Sequence, residues 1–382
     1  MTSTPSPKVI LDASNLHVGG AVQVAASLID EITEIYDSAE APYEWLRDMQ
    51  IEASTLVGES LTSGNRHPNL KIVDHRPLQR STILPRRRAY DVAMHVFGPV
   101  YRYPLAKRNI VGYADVRSIY PAPIALPRQR TRTRLRWKAR GIVSRRAIRR
   151  ANVVVVETSA IRQRLIELNL VQPDAVAVVP NTVNGVFFTP ETWAEAPSPP
   201  RSSKHELRLA YTTRPYPHKN LAILPTIARE LEQHHTLRVR FIVTLTPAEW
   251  NQQPAEFRDC CINVGRLSVQ QLPSLLQTID GVIFPSLLEA FSATPLESLA
   301  MGVPLFASDR DFVRSICKEM PVYIEPTDAT SIAQTISDSY QDHRRLQENF
   351  DRGPQFVSSL PGPRERAESI LSLIQTQYAV VN

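Results

Sequence analysis

Residues 280–304 read DGVIFPSLLEAFSATPLESLAMGVP. The run GVIFP, Gly281–Pro285, is apolar at consecutive positions, the pattern of a short strand covered on both faces. Thr294-Pro295-Leu296-Glu297 reads as a helix start, with threonine as the N-cap, proline at the first helical position and glutamate three residues past the cap. A strand that passes through a loop into a helix is the repeating step of parallel α/β sheets, which bind ligands at the carboxyl ends of their strands. Two acids fall in this step, Glu289 in the loop and Glu297 in the helix. Glu297 fits either a capping box or a ligand contact. Capping does not account for Glu289, which is either a solvated loop acid or a second contact to the same pocket. The helix N-terminus there offers free N–H groups to an anion.

The same alternation extends outward in both directions. In the first half, strands are expected at Lys8–Asp12, Glu52–Val57, Lys71–Asp74, Asp91–Phe97, Asn109–Tyr113, Asn152–Glu157 and Ala175–Val179, with helices at Ala21–Tyr36 and Ser159–Leu168. TPETWAEAPSPPRSSK, Thr189–Lys204, is rich in proline and serine without a period and reads as an exposed loop or linker near a domain boundary. Strands are expected again at Arg208–Thr212, Val239–Leu245, Cys261–Val264, Gly281–Pro285, Pro304–Ala307 and Val322–Glu325. The helices of this half are expected at Lys219–Gln233, Ser268–Gln277, Pro295–Met301 and Asp328–Tyr340. The chain of 382 residues is too long for one ordinary core. The expectation is two α/β domains, 1–185 and 186–359, meeting at a cleft. A last helix, Arg364–Tyr378, belongs to either domain, and the segment 360–382 can pack back on the first.

Two further strand-to-helix loops carry candidate chemistry. TTRPYPHKNL, Thr212–Leu221, places Arg214 and Lys219 on a loop stiffened by Pro215 and Pro217. Two cations on such a loop suit a diphosphate, arginine as a two-donor fork and lysine as a point charge; the competing reading is a pair of solvated cations. NLHVGGAVQVAASL, Asn15–Leu28, sets Gly19-Gly20 before the first long helix, which permits close approach of a ligand or simply makes a tight turn. It is not GxGxxG and has no acid placed for a nicotinamide ribose, which disfavours a dinucleotide site.

Taken together, these segments resemble the retaining nucleotide-sugar glycosyltransferases of the GT-B fold, family 4. The resemblance is carried by Glu289-x7-Glu297 after a strand, by RPYPHKNL, by NVGRLSVQQLPSLL followed by DGVIFPS, and by VVPNTVN, Val178–Asn184. It spans roughly residues 150–310, with an echo at Gly19-Gly20. It implies two Rossmann-like parallel-sheet domains facing a cleft, a nucleoside-diphosphate sugar as donor, and a glycan or lipid-linked acceptor in cell-surface polysaccharide or glycolipid synthesis. Arg214 and Lys219 would hold the diphosphate and stabilise the leaving group. Glu297 would accept from the ribose hydroxyls and Glu289 from the sugar. The backbone of Phe291, Ser292, Ala293 and Thr294 would touch sugar and phosphate. Gly19 and Gly20 would approach phosphates or acceptor, and Leu267 would border the base. No metal or other cofactor is implied. The chain departs from the family in having Ala290, Ser292 and Thr294 where glycines and proline are usual. It also lacks a histidine in VGYADVRSIYP, Val111–Pro121. Asp115 or Arg117 would stand in there, with His95 and His17 as alternatives that also read as satisfied core histidines.

The bulk numbers bound the setting. The formal charge of +6 suits phosphate-bearing ligands or an anionic surface. Three cysteines make neither a disulfide framework nor a zinc spacing, so a reducing compartment is expected. No apolar run reaches spanning length and no signal segment is read at the N-terminus, so the expected place is the cytoplasm or the inner membrane face. PRQRTRTRLRWKARGIVSRRAIRRAN, Pro127–Asn152, carries eleven Lys or Arg and no acid. Three readings stay open for its stretch Arg128–Arg150: a core-facing helix with a solvated cationic side, a patch that docks on anionic lipid, and nucleic-acid binding. The last is disfavoured by the lack of interleaved aromatics or a recognition module. A catalytically silent scaffold of the same fold, binding nucleotide or a partner, is the rival to the enzyme.

Overall fold

The computed structural model describes residues 8–17, 19–38, 43–62, 66–75, 89–98, 100, 104–120, 141–198, 201, 203 and 206–381. Two compact units divide the chain. Of the described residues, one takes those up to Ile119, from 141 to Asn181 and from Pro363 onward; the other takes Tyr120 and the run from Thr182 to Gly362.

The first unit holds seven strands: β1 Val9–Ala13, β2 Gln50–Ala53, β3 Leu70–Ile72, β4 Tyr90–His95, β5 Ala106–Gly112, β6 Val153–Val156 and β7 Val176–Val178. Their order is β3-β2-β1-β4-β5-β6-β7, and every neighbouring pair is parallel. The second unit holds six: β8 Glu206–Tyr211, β9 Arg238–Val243, β10 Cys261–Asn263, β11 Gly281–Phe284, β12 Leu305–Ser308 and β13 Val322–Ile324. Their order is β10-β9-β8-β11-β12-β13, again all parallel. The consecutive apolar runs arise because both sheet faces are covered: all four valines of β6 and all of β11 are buried. In each sheet the strand order reverses once, between β1 and β4 and between β8 and β11. At such a switch point the loops leave in opposite directions and open a crevice at the carboxyl edge.

The C-terminal helix, Pro363–Ala379, closes the first unit. Ala367, Ile370, Leu371 and Ile374 join its core, and the Trp45 indole donates to Gln375 Oε1 at 2.7 Å. Arg366 is buried with it, near Glu157 at the end of β6. Burial pushes the Glu157 carboxyl up to about 7 against the opposing pull of Arg366.

The structure differs from the sequence expectation at several ends. The expected strand Glu52–Val57 stops at Ala53, because Ser54 caps a short helix, Thr55–Glu59, by accepting from the Val57 N–H. The expected helix Lys219–Gln233 is two 3-10 turns, Pro217–Lys219 and Leu221–Ile223, before an α-helix at Leu224–His235. Asn220, left-handed at φ 57°, separates the two turns. The proline-rich stretch after Thr189 is no free linker in its described part. Trp193 packs on the second core and donates to the Val186 carbonyl at 2.7 Å.

Candidate functional site

The loops that follow β8 and β11 flank the switch point of the second sheet. Tyr211, the last residue of β8, is fully buried, and its hydroxyl donates to the Lys219 carbonyl at 2.8 Å and shares a hydrogen bond with Ser286 Oγ at 2.8 Å. Ser308, ending β12, donates to the Phe284 and Ser286 carbonyls. Across the gap, the Leu287 N–H donates to the His218 carbonyl at 2.8 Å, and Asn220 Nδ2 donates to the Pro326 carbonyl at 2.7 Å. The two loops are therefore fixed to one another by a backbone hydrogen bond and buried hydroxyls as well as by their functional side chains.

On this frame Lys219 Nζ lies 2.6 Å from Glu289 Oε1, the two side chains being only 13% and 11% exposed. His218 Nε2 lies 3.8 Å from the other oxygen, Oε2. Glu297 is half-buried in the helix behind them. Burial pushes its carboxyl up to about 7, and Lys219 pulls the other way. Lys219, Glu289 and Glu297 thus form one electrostatic cluster. Arg214 lies apart from it: its Nε donates to Glu249 Oε1 at 2.6 Å. Glu249 follows β9. Its carboxyl is held below the usual range because hydrogen bonds from Thr246 and Arg214 outweigh the opposing effect of burial.

The helix bearing Glu297 runs Ala293–Ala300, with Ser292 as N-cap and no side-chain capping bond. Thr294 is thus not the N-cap, and Glu297 is not a capping-box acid. The helix begins earlier because Ala293 extends it, and the uncapped first-turn N–H groups face the end of the loop at Phe291 and Ser292. Phe291 packs against the core, as does Leu267, two residues past Gly265 at φ 79°. The helix ends in a Schellman turn: Val303 N–H donates to the Ser298 carbonyl and Gly302 N–H, at φ 64°, to that of Leu299.

The first unit places its candidates at its own carboxyl edge. Gly19, at φ 70° and ψ −158°, is the N-cap of the helix Gly20–Asp37, a backbone geometry that favours glycine, and open space surrounds both Gly19 and Gly20. His95 ends β4 and sets Nδ1 3.2 Å from Asp12 Oδ2 of β1, both buried. Asp12 Oδ1 accepts from Ser14 Oγ. His95 Nε2 is buried without a hydrogen-bond partner among the described residues. His17 lies 3.5 Å from Asp74. Asp115 and Arg117 sit half-buried on the 3-10 turn after β5, where the Asp115 carbonyl accepts from the Tyr113 hydroxyl and Ser118 Oγ.

Sequence reading missed Tyr211, Ser286, His218 and Glu249. Only Glu249 carried a signal, as the fourth residue of Thr246-Pro247-Ala248-Glu249, which does form a capping box. The others act through tertiary contacts between loops distant in the chain.

Residues 199–353 match the family model described as glycosyl transferases group 1. That segment contains every second-unit residue named above as a candidate. No curated protein matches the chain by sequence. Among solved structures, sucrose-phosphate synthase of Thermosynechococcus elongatus superposes with a TM-score of 0.68 at 14% identity, over 98% of this chain and 100% of its own. A glycosyltransferase from Rickettsia africae gives 0.67 at 13%, over 98% and 99%. Anabaena HepE, solved in complex with UDP and glucose, gives 0.66 at 13%, over 97% and 100%. At these identities the likeness establishes the fold, which is GT-B: two parallel-sheet α/β domains, with the match to the group 1 family model falling in the second.

Proposed function

We propose that the protein moves a sugar, with retention, from a nucleoside-diphosphate sugar to a hydroxyl of a glycan or lipid-linked acceptor in cell-surface polysaccharide or glycolipid synthesis. The observation that carries this proposal is the Lys219–Glu289 contact at the second switch point, with Glu297 beside it. Lys219 neutralises the diphosphate as the glycosidic bond breaks, and Arg214, exchanging Glu249 for phosphate, is the second cation. The first-turn N–H groups after Ser292 take a phosphate or sugar oxygen, Glu297 the ribose hydroxyls and Glu289 the sugar hydroxyls. Leu267 borders the base. In the first unit, Gly19, Gly20 and the turn of Asp115 and Arg117 would take the acceptor. Side-chain cations supply the charge that a metal would otherwise supply, so transfer is metal-independent. The structure of HepE with UDP and that with UDP-glucose make these the first ligands to test. Release of nucleoside diphosphate from a purified-protein incubation with nucleotide sugars tests the proposal; no release with any donor, despite nucleotide binding, would favour the silent scaffold.

A pH dependence follows from Glu297. Its folded pKa of about 7 is above the ordinary carboxyl range near 4.3. The folded protein therefore holds a proton that the unfolded chain has lost, and this group's contribution to stability falls as pH rises from the ordinary range to about 7. Ribose hydroxyls donate best to the ionised form, so donor binding has the opposite slope. Affinity should rise about tenfold from pH 6 to pH 8 in calorimetric titration. Glu297→Gln should flatten that rise; a slope unchanged in this variant would assign it to another group.

The setting we propose is the cytoplasmic face of an anionic membrane. Residues 141–148 are helical, and positions 142, 143, 145, 146, 149 and 150 are exposed while 144, 147 and 148 are buried. The outer side thus combines Ile142 and Val143, 65% and 49% exposed, with Arg145, Arg146, Arg149 and Arg150. Aliphatics beside arginines fit a lipid headgroup boundary better than a nucleic acid. The remainder of the cationic run, from Arg128 to residue 140, lies outside the described residues. No helix among the described residues is long and apolar enough to cross a membrane. The partition constant for phosphatidylglycerol vesicles, measured by co-sedimentation, should exceed that for phosphatidylcholine vesicles and fall by about 10³-fold in a fourfold Arg→Gln variant, since each basic residue near the surface contributes about 1 kcal/mol. Equal binding to both vesicles would remove this surface from the account.

A further inference from the structure

Lys219 faces a conflict that the donor site must resolve. Its ammonium is matched to Glu289 at 2.6 Å, inside a recess where both side chains are nearly covered. A diphosphate brought to the same ammonium competes for it. Glu289 would then be left as a buried carboxylate beside a second anion, a costly arrangement unless another donor takes it.

One residue is placed to do so. His218 Nε2 stands 3.8 Å from Glu289 Oε2, the oxygen that Lys219 does not contact. That distance lies within ion-pair range and a small side-chain adjustment away from hydrogen bonding. The ring stacks on Tyr216, with centroids 5.7 Å apart and planes 9° from parallel. The Leu287 N–H donates to the His218 carbonyl, which ties the histidine's backbone to the loop two residues before Glu289. The 3-10 turn Pro217–Lys219 presents histidine and lysine to one carboxylate from adjacent positions.

We propose that His218 is a positioning residue that holds Glu289 when Lys219 turns to the diphosphate. Lys219 exchanges Glu289 Oε1 for phosphate oxygen, the His218 N–H closes on Oε2, and the freed Oε1 meets a hydroxyl of the donor sugar. The imidazolium and the neutral ring protonated at Nε2 both supply that hydrogen, so the exchange works in either state. Its consequence is that any ligand whose diphosphate draws Lys219 from Glu289 depends on His218, with or without its sugar.

This inference rests on the donor-site reading, and one experiment separates the two. UDP-glucose, GDP-mannose, ADP-glucose and dTDP-glucose, each with its bare diphosphate, are titrated calorimetrically into the full-length protein and its His218→Ala and His218→Gln variants. With the best-bound pair, His218→Ala should weaken both the sugar nucleotide and the bare diphosphate about tenfold, the loss expected for one charge-assisted hydrogen bond, whereas the same change made in a Glu289→Gln background should weaken neither by more than about twofold. His218→Gln, which keeps an N–H donor, should restore most of the difference. No change in either ligand, or equal weakening with and without Glu289→Gln, overturns the role of His218 while leaving the donor site intact. If the parent protein binds none of the eight, the donor site itself fails and the inference with it.

Discussion

Lys219→Ala is expected to lower turnover of a nucleotide sugar by about 10²- to 10³-fold, the range seen when one preorganised charge donor is removed from a developing anion. The same change leaves Glu289 in its recess without the ammonium at 2.6 Å. Stability should therefore fall as well, by about 1–3 kcal/mol given that the pair keeps some access to water. The two effects separate in the double variant. Adding Glu289→Gln removes the stranded charge, so thermal stability should largely return while turnover stays lost. Lys219→Arg should recover stability more than activity, because the longer planar fork does not occupy the point-charge position. Steady-state rates of diphosphate release and thermal melts of the four proteins give the answer. A double variant that regains turnover together with stability would show that the ion pair serves the fold alone.

Gly112→Ala is expected to be the most damaging glycine replacement among the described residues. A Cβ at Gly112 would stand 1.8 Å from the Val96 carbonyl oxygen and 2.8 Å from its carbon. Both are backbone atoms, so no side-chain rotation relieves the contact, and β4 and β5 must separate where His95 and Tyr113 emerge. The cost should be about 3 kcal/mol or more, beyond the ordinary range of overpacked positions, and should lower the melting midpoint of the first unit by about 6–12 °C. Gly185 is the control: an added Cβ there meets nothing within 4 Å. Gly185→Ala should stay within about 0.5 kcal/mol of the parent. Comparable melts for the two variants would contradict the close approach of these strands.

The central strands were legible in the sequence because they are buried on both faces, so apolar residues stand in unbroken runs such as the four valines of β6, whereas the edge strand β3 is largely uncovered. Sheet order was not legible, since hydrogen-bond partners of parallel strands lie far apart in the chain. The candidate site shows how local pattern and tertiary outcome diverge. Thr246-Pro247-Ala248-Glu249 and Thr294-Pro295-Leu296-Glu297 have the same signature. The first forms a capping box on a helix that starts at Pro247. In the second, the helix begins at Ala293, Thr294 falls inside its first turn, and Glu297 turns from a cap into a member of the Lys219 cluster. Loop residues were located by position alone. Which cation meets which acid depended on where the loops after β8, β9 and β11 fold, so Arg214 went to Glu249 and Lys219 to Glu289.

The central claim is that the loop after β8 and the loop-and-helix after β11 close on one donor. Hydrogen–deuterium exchange with and without a saturating nucleotide sugar tests it directly, since amides gain protection where a ligand suppresses local opening. The expected result is slowed exchange in peptides covering 212–221 and 286–300 together, with the second response weakened in Glu297→Gln. Protection confined to one of these segments, or found only elsewhere in the chain, would contradict the claim.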